Sequence, residues 1–306
     1  MADEPKQAAD PSALAEREPA ALPRLLKPRT VTLRTVGAIV GVEALAFVIA
    51  LLTQSVMGSI GLVLGGLVLW SFHRRAELQR AIAGTERGRE LLDLNRVDEA
   101  AVALDEVLAR RSTPPHTRPL AAFNRALVAL RLARYREARV RLDAVLDSGW
   151  LENRRFLQNF APVVYASAML VAVLQGDLAA AAAYHQKGRR SVFDLERHWF
   201  VAESFELARR ERWTDLLNKF ERSWEAIEGT VSGVGIRQLQ LLKAYALARV
   251  GEREDNYRGL HSGEETRALL HGIRPGRFDH LAVQWPELRE FMQAHRLTAD
   301  AAPEPT

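Results

Sequence analysis

Few side chains in this sequence are spaced so that they could do chemistry together. The chain has eight histidines and no cysteine, which excludes disulfides, thiolate metal sites and cysteine nucleophiles. His185 and His198 are too far apart for a local ligand pair, and neither a zinc-protease motif nor a phosphate-binding glycine loop is present. Gly233 and Gly235 could offer backbone N–H groups to an anion, although an ordinary loop is the simpler explanation. We therefore expect no enzyme, no cofactor and no metal.

Glu43 is the one charged residue between Val36 and Phe72. A carboxyl group inside a bilayer costs about 2.5–3.5 kcal/mol on insertion scales, so an intramembrane acid is a candidate for function. The alternative is a tolerated residue with a local hydrogen bond, because Arg34 lies only a few turns before it.

The apolar run that contains Glu43 is too long for one membrane span. As a single helix it would measure about 55 Å, against about 30 Å of hydrocarbon. The sequence predicts a transmembrane hairpin over 31–73, with spans at 36–52 and 56–72. Basic residues flank the run on both sides, which places both termini in the cytoplasm: Arg24, Lys27, Arg29 and Arg34 before it, and Arg74, Arg75 and Arg80 after it. A buried soluble hairpin is the alternative.

Two pairs of glycines lie four residues apart in the hairpin, Gly37 with Gly41 and Gly61 with Gly65. Small residues at this spacing let helices approach closely in lipid. They favour packing of the two spans on each other, and a homo-oligomer is the alternative. Residues 1–30, with four prolines before Arg24 and no apolar periodicity, are predicted to be a disordered tail.

The remainder, 74–300, shows no strand pattern. Apolar residues recur three and four apart, which predicts amphipathic helices and an all-α fold. Short breaks separate the helices, among them Asn95 with Arg96 and Gly176 with Asp177. The segments 97–108 and 135–146 match at seven of twelve positions, and Gly176 begins a related segment.

These repeats resemble the tetratricopeptide repeat (TPR) family, whose unit is an antiparallel helix pair. The resemblance implies a helix-pair solenoid, with weaker units at 200–226 and 237–249; another all-α bundle is the alternative. The small residue in the first helix of the family's unit corresponds to Gly88, Ala126 and Met169. The alanine that opens the second helix corresponds to Ala100, Ala138 and Ala181. The large residue one turn later corresponds to Leu104, Leu142 and either Tyr184 or His185.

The resemblance also implies a partner surface along the first helices of the units. The expected groove is mostly apolar and suits an amphipathic helix, either from a partner or from 286–297 of this chain. A register error of one residue would make the same positions ordinary core. Only Asn124 matches the family's carboxylate-clamp pattern, so we expect no such clamp. The groove comprises Arg89, Leu120, Phe123, Asn124, Leu127, Leu130, Val163 and Leu170.

The composition narrows the function further. The net charge is +4 and aromatic residues do not alternate with basic ones, so nucleic acid is not an expected partner. The abundance of alanine, leucine and arginine is typical of a bacterial gene. We therefore expect a TPR-like scaffold or adaptor on the cytoplasmic face of a bacterial inner membrane, serving a cell-envelope or secretion assembly. The alternatives are a membrane-complex subunit that acts through Glu43, or an enzyme with an unmarked site in 195–280.

Overall fold

The computed structural model describes residues 56–152, 158–190, 196–253 and 257–301, and isolated positions before residue 45. This part of the chain is helical throughout, with no strand, which confirms the all-α prediction. The described residues fall into two compact units. The smaller unit comprises 56–125 and 144–152, and the larger unit comprises 126–143, 159–190, 196–253 and 257–301.

Eleven α-helices and three short 3-10 helices occupy the described residues. The 3-10 helices are Gln158–Phe160, Asp279–Leu281 and Ala299–Ala301. The α-helices are α1 (Val56–Asp93), α2 (Val97–Ala109), α3 (Arg118–Arg131), α4 (Tyr135–Leu146), α5 (Ala161–Leu174), α6 (Leu178–Gly188), α7 (Glu196–Arg209), α8 (Trp213–Glu228), α9 (Gly233–Arg253), α10 (Tyr257–Leu270) and α11 (Pro286–Ala294).

In four successive helix pairs, α1–α2, α3–α4, α5–α6 and α7–α8, the same kind of turn joins the first helix to the second. In each, one residue has a positive φ: Asn95, Ala133, Gly176 or Glu211, at φ 64°, 57°, 77° and 56°. The N–H of the next residue then bonds to the carbonyl five positions earlier, at 2.8–2.9 Å. This is a Schellman C-cap, which satisfies carbonyls that the end of the first helix leaves unpaired. A local structural repeat therefore underlies the sequence repeat.

The start of each second helix is also repeated. In three turns an arginine pairs with an acid three residues later, and in the fourth Asp177 accepts from the N–H of Ala180 at 3.0 Å. The alanines predicted to open the second helices, Ala100, Ala138 and Ala181, are fully buried. Leu216 occupies the corresponding place in α8 and is also fully buried.

Glycines allow close packing of α1 against α2 in the smaller unit. A Cβ atom at Gly88 would lie 2.5 Å from Cγ of Leu104, and one at Gly84 would lie 2.5 Å from Cγ2 of Val107. Contacts below about 3 Å cannot be accommodated without displacing an atom, so these positions require glycine. The predicted seam between Gly88 and Leu104 is present.

Packing in the larger unit follows a regular order. Helix α5 packs against α6 and α7, α7 packs against α8 and α9, and α9 packs against α8 and α10. Each of the first helices α5 and α7 thus touches its own partner and the first helix of the next pair. Polar contacts link α4 to α6, which is the second helix of the next pair. Arg139 pairs with Asp177, directly before α6, at 2.7 Å, and the Tyr184 hydroxyl donates to Asp143 at 2.6 Å.

Helix α1 runs without interruption past Phe72, where the sequence predicted the second span to end. Its 38 residues correspond to about 57 Å. Of the first predicted span, Gly37, Gly41 and Ala44 are described and helical, whereas Glu43 lies outside the described residues. Among the residues that the structure describes, no helix meets the length and hydropathy needed to cross a membrane.

Candidate functional site

The predicted groove residues differ in burial. Phe123, Asn124, Leu130 and Leu170 are at most 9% exposed, and Arg89 lies on the surface. The three others are partly buried: Leu120, Leu127 and Val163. Four of the eight belong to the smaller unit (Arg89, Leu120, Phe123 and Asn124) and four to the larger unit. A groove through these positions stays a prediction, and the low exposure of Phe123 is what the core alternative requires.

Val163 lines an open cavity of about 560 Å³ in the larger unit. The cavity lies among α5, α7 and the turn before α9. Three valines supply apolar wall and Arg197 supplies a positive charge, and none of the described residues that line the cavity is a carboxylate. The cavity could therefore receive an aliphatic side chain that has an acidic neighbour. The lining residues are Val163, Arg197, His198, Val201, Gly229, Thr230 and Val231.

Gly233 and Gly235 lie in the first turn of α9, where they have an ordinary structural role. Ser232 accepts from the N–H of Gly235 through its side chain at 3.2 Å, and its carbonyl accepts from the N–H of Ile236 at 2.9 Å. These bonds satisfy donors that a helix start would otherwise leave free. The two glycines are therefore helical, and the interpretation of them as an ordinary loop was wrong.

Glu203 is the centre of an ionic cluster that sequence spacing did not indicate. Its Oε1 lies 2.9 Å from Nε2 of His185 and 2.7 Å from a guanidinium nitrogen of Arg189. Its Oε2 accepts from Nζ of Lys219. The partners come from α6 and α8, and Glu203 itself lies on α7, so one carboxylate links three helices.

Two features of the surroundings shift the pKa of Glu203 in opposite directions. Burial raises the pKa of its carboxyl group, but Lys219 and Arg189 outweigh this effect, and the pKa lies below its usual range. Trp199 packs edge-on against His185 at 5.1 Å between ring centroids, and the guanidinium carbon of Arg189 lies 5.4 Å from the centroid of a Trp199 ring. A Cβ atom at Gly188 would lie 2.3 Å from the Trp199 ring, so α6 and α7 approach closely here. The cluster has the features of a structural clamp.

No group of histidine, aspartate and glutamate side chains in the described ranges is arranged to hold a metal ion. His185 faces Glu203, and His198 lines the cavity at Val163. His280 is fully buried, and this burial, followed by the nearby charge of Arg131, places its pKa well below the usual value. His280 is therefore neutral at physiological pH.

The C-terminal segment packs onto the helix pairs of the larger unit. The hydroxyl of Tyr135 donates to the His280 carbonyl, and Arg209 lies 4.9 Å from the ring centroid of Trp285. On α11, Phe291 contacts Tyr245 at 5.2 Å between centroids. Helix α11 buries Leu288 and Met292. The segment 286–297, considered above as a groove ligand, thus contacts α9 through Phe291, and the residues before it contact α4 through His280 and α7 through Trp285.

Comparisons with known proteins give no relative. No protein-family model matches the chain, and neither a curated protein nor a solved structure is significantly similar to it.

Proposed function

We propose that this chain is a membrane-anchored, TPR-like adaptor that holds protein partners at the cytoplasmic face of a bacterial inner membrane. The observation that carries the proposal is on α1. Large apolar side chains are exposed where this helix approaches the helix pairs, and the helix continues unbroken into the first pair. We call residues 64–72 the apolar collar.

The apolar collar is hydrophobic on every side. Exposed fractions reach 73% at Leu69, 66% at Phe72 and 57% at Leu64. With about 100° of rotation per residue, its large side chains spread around the whole helix. A helix that docks on protein through one face carries a one-sided stripe, whereas an apolar surface all round suits hydrocarbon. This distribution supports insertion of the predicted hairpin 31–73 into a bilayer.

The repeated turns and the packing of first helices support the TPR-like part of the proposal. In repeat proteins of this kind, neighbouring units bury a continuous core and leave an extended surface for partners. We assign the partner contact to the cavity lined by Val163, because Val163 is one of the predicted groove residues. Its valines and Arg197 suit an amphipathic helix with apolar and acidic side chains.

Topology is tested by single cysteines, because the chain has none of its own. Variants Ser55→Cys and Ala294→Cys are treated in intact cells with a membrane-impermeant maleimide. Ala294 is exposed and therefore open to labelling. We expect labelling at position 55 alone, and at position 294 only after the membrane is opened. Labelling at 294 in intact cells would place the helix pairs outside and refute the cytoplasmic adaptor.

The partner site is tested by a photo-crosslinking amino acid at Val201, with exposed Ala182 of α6 as the matched control position. We expect a defined crosslinked species from position 201 that disappears when Val163 is changed to Asp. Identical crosslinking from both positions would remove the assignment to this cavity without affecting the anchor.

A further inference from the structure

The apolar collar ends at three consecutive basic or titratable residues. His73, Arg74 and Arg75 are all exposed, and successive residues of a helix point in directions about 100° apart. They therefore surround α1 at one level, directly after Phe72. We call these three residues the basic rim.

Arg74 and Arg75 carry the charge of the basic rim, because His73 interacts electrostatically with the carboxylate of Glu77. No acid occurs from Leu64 to Ala76. The next acid, Glu77, is buried, and its carboxylate is 2.6 Å from a guanidinium nitrogen of Arg80. The guanidinium carbon of Arg74 lies 5.4 Å from the ring centroid of Trp70. A tryptophan one turn above an arginine is the arrangement found where hydrocarbon meets headgroups.

The axial dimensions agree with one leaflet. From Leu64 to Phe72 the helix rises about 12 Å, close to half of the hydrocarbon thickness of about 30 Å. The basic rim then lies at the depth of the phosphate groups. A protein groove would need to enclose the helix on all sides to cover the same surface, and a bilayer does so without a specific fit.

We propose that the basic rim binds the phosphates of anionic phospholipids and enriches these lipids around Trp70. This inference rests on the proposed membrane anchor and adds the class of lipid to it. Each arginine near an anionic surface strengthens attraction about fivefold, so Arg74 and Arg75 together give up to about 25-fold.

Quenching of Trp70 fluorescence tests the inference. The full chain is reconstituted in phosphatidylcholine vesicles that contain a small fraction of lipid brominated near the headgroup. The bromine is carried either by phosphatidylcholine or by phosphatidylglycerol, and Trp70→Phe defines the background of the other five tryptophans. We expect brominated phosphatidylglycerol to reach half-maximal quenching at a mole fraction up to about 25-fold lower than brominated phosphatidylcholine does. This difference between the two lipids should be smaller in high salt.

The double variant Arg74→Gln/Arg75→Gln should lose most of this preference. Arg110→Gln/Arg111→Gln, an exposed pair after α2, removes the same charge and should keep it. Equal quenching by both lipids in the wild type would overturn lipid selectivity and leave the anchor intact. A preference that survives in the Arg74/Arg75 variant would overturn the assignment to the rim. Failure of the chain to float with either vesicle would instead refute the anchor.

Discussion

Replacement of Glu203 by glutamine should destabilise the larger unit more than any exposed ion pair does. The glutamine keeps the volume of the side chain but removes the charge that faces Arg189 and Lys219. The side chains of Glu203 and Lys219 are 14% and 17% exposed, so both ions are largely desolvated. Removing one partner of a fully buried pair costs about 3–5 kcal/mol. Since Arg189 is 31% exposed and can turn towards water, we expect about 2–3 kcal/mol.

Thermal unfolding followed by circular dichroism measures this cost. One kcal/mol lowers the Tm of a domain of about 150–250 residues by about 2–4 °C, so Glu203→Gln should lower Tm by about 4–12 °C. The matched control is Glu99→Gln, which breaks the pair with Arg96. Those side chains are 53% and 55% exposed, and pairs three residues apart on a helix surface contribute about 0.2–0.5 kcal/mol. The control should shift Tm by less than about 2 °C.

The pH dependence of Tm distinguishes the effect of the Glu203 charge from the effect of the shape of its side chain. The folded-state pKa of Glu203 lies below its ordinary value of 4.5, so the stabilising effect of its charge is fully present above pH 4.5 and is lost as the pH falls through the folded-state pKa. The Tm difference between wild type and Glu203→Gln should thus be constant at neutral pH and shrink below pH 4.5. A Tm difference between wild type and Glu203→Gln that persists unchanged in acid would refute the role of Glu203 as a structural clamp. So would a Tm of Glu203→Gln equal to that of Glu99→Gln at neutral pH.

Four further substitutions test the packing. Gly176→Ala should cost about 1–2 kcal/mol because φ is positive there, and Ala133→Gly, at the same place in another turn, should stabilise by less than about 1 kcal/mol in denaturant titrations. Tyr135→Phe should cost about 1–2 kcal/mol by leaving the buried His280 carbonyl unpaired, measured by thermal unfolding. Phe123→Glu should unfold the chain, as seen by circular dichroism, because it places a charge at a position 5% exposed. A folded Phe123→Glu protein that only loses a crosslinked partner would favour the groove interpretation over core.

Local pattern was sufficient for much of the fold. The small residue at Gly88 and the large one at Leu104 predicted a helix seam, and the two residues are in contact. Apolar spacing predicted helices, and Asn95 and Gly176 marked two of the repeated turns because both residue types tolerate a positive φ. Ala133 and Glu211 have the same φ without such a preference. The sequence gives no local signal at these two turns, which follow from the helix packing around them.

The end of the second predicted span at Phe72 depended on the change from apolar to charged residues. That change ends a hydrophobic surface but does not end a helix. From His73 to Ala83 the chain consists mostly of strong helix formers and has neither glycine nor proline. Backbone propensity therefore continues α1 to Asp93, whereas hydropathy reports only which environment each part of it suits.

The Glu203 cluster could not be read from spacing. His185, Arg189 and Lys219 lie on two other helices, up to 18 residues away in sequence. Their meeting depends on how α6, α7 and α8 pack, which in turn depends on Gly188 accepting the ring of Trp199. The contacts of the C-terminal segment are more remote still, with Tyr135 and His280 separated by 145 positions.

The continuity of α1 gives the proposed anchor a mechanical consequence. The helix runs without a break from the apolar collar to the glycines that fit against Leu104 and Val107. Helices bend sharply at proline, at glycine–serine pairs or at π-bulges, and the sequence between His73 and Ala83 has neither proline nor glycine. Under the proposed anchoring, the tilt of α1 in the bilayer therefore sets the orientation of the α1–α2 pair directly. The α1–α2 pair is then held at a defined angle to the membrane, rather than on a flexible tether.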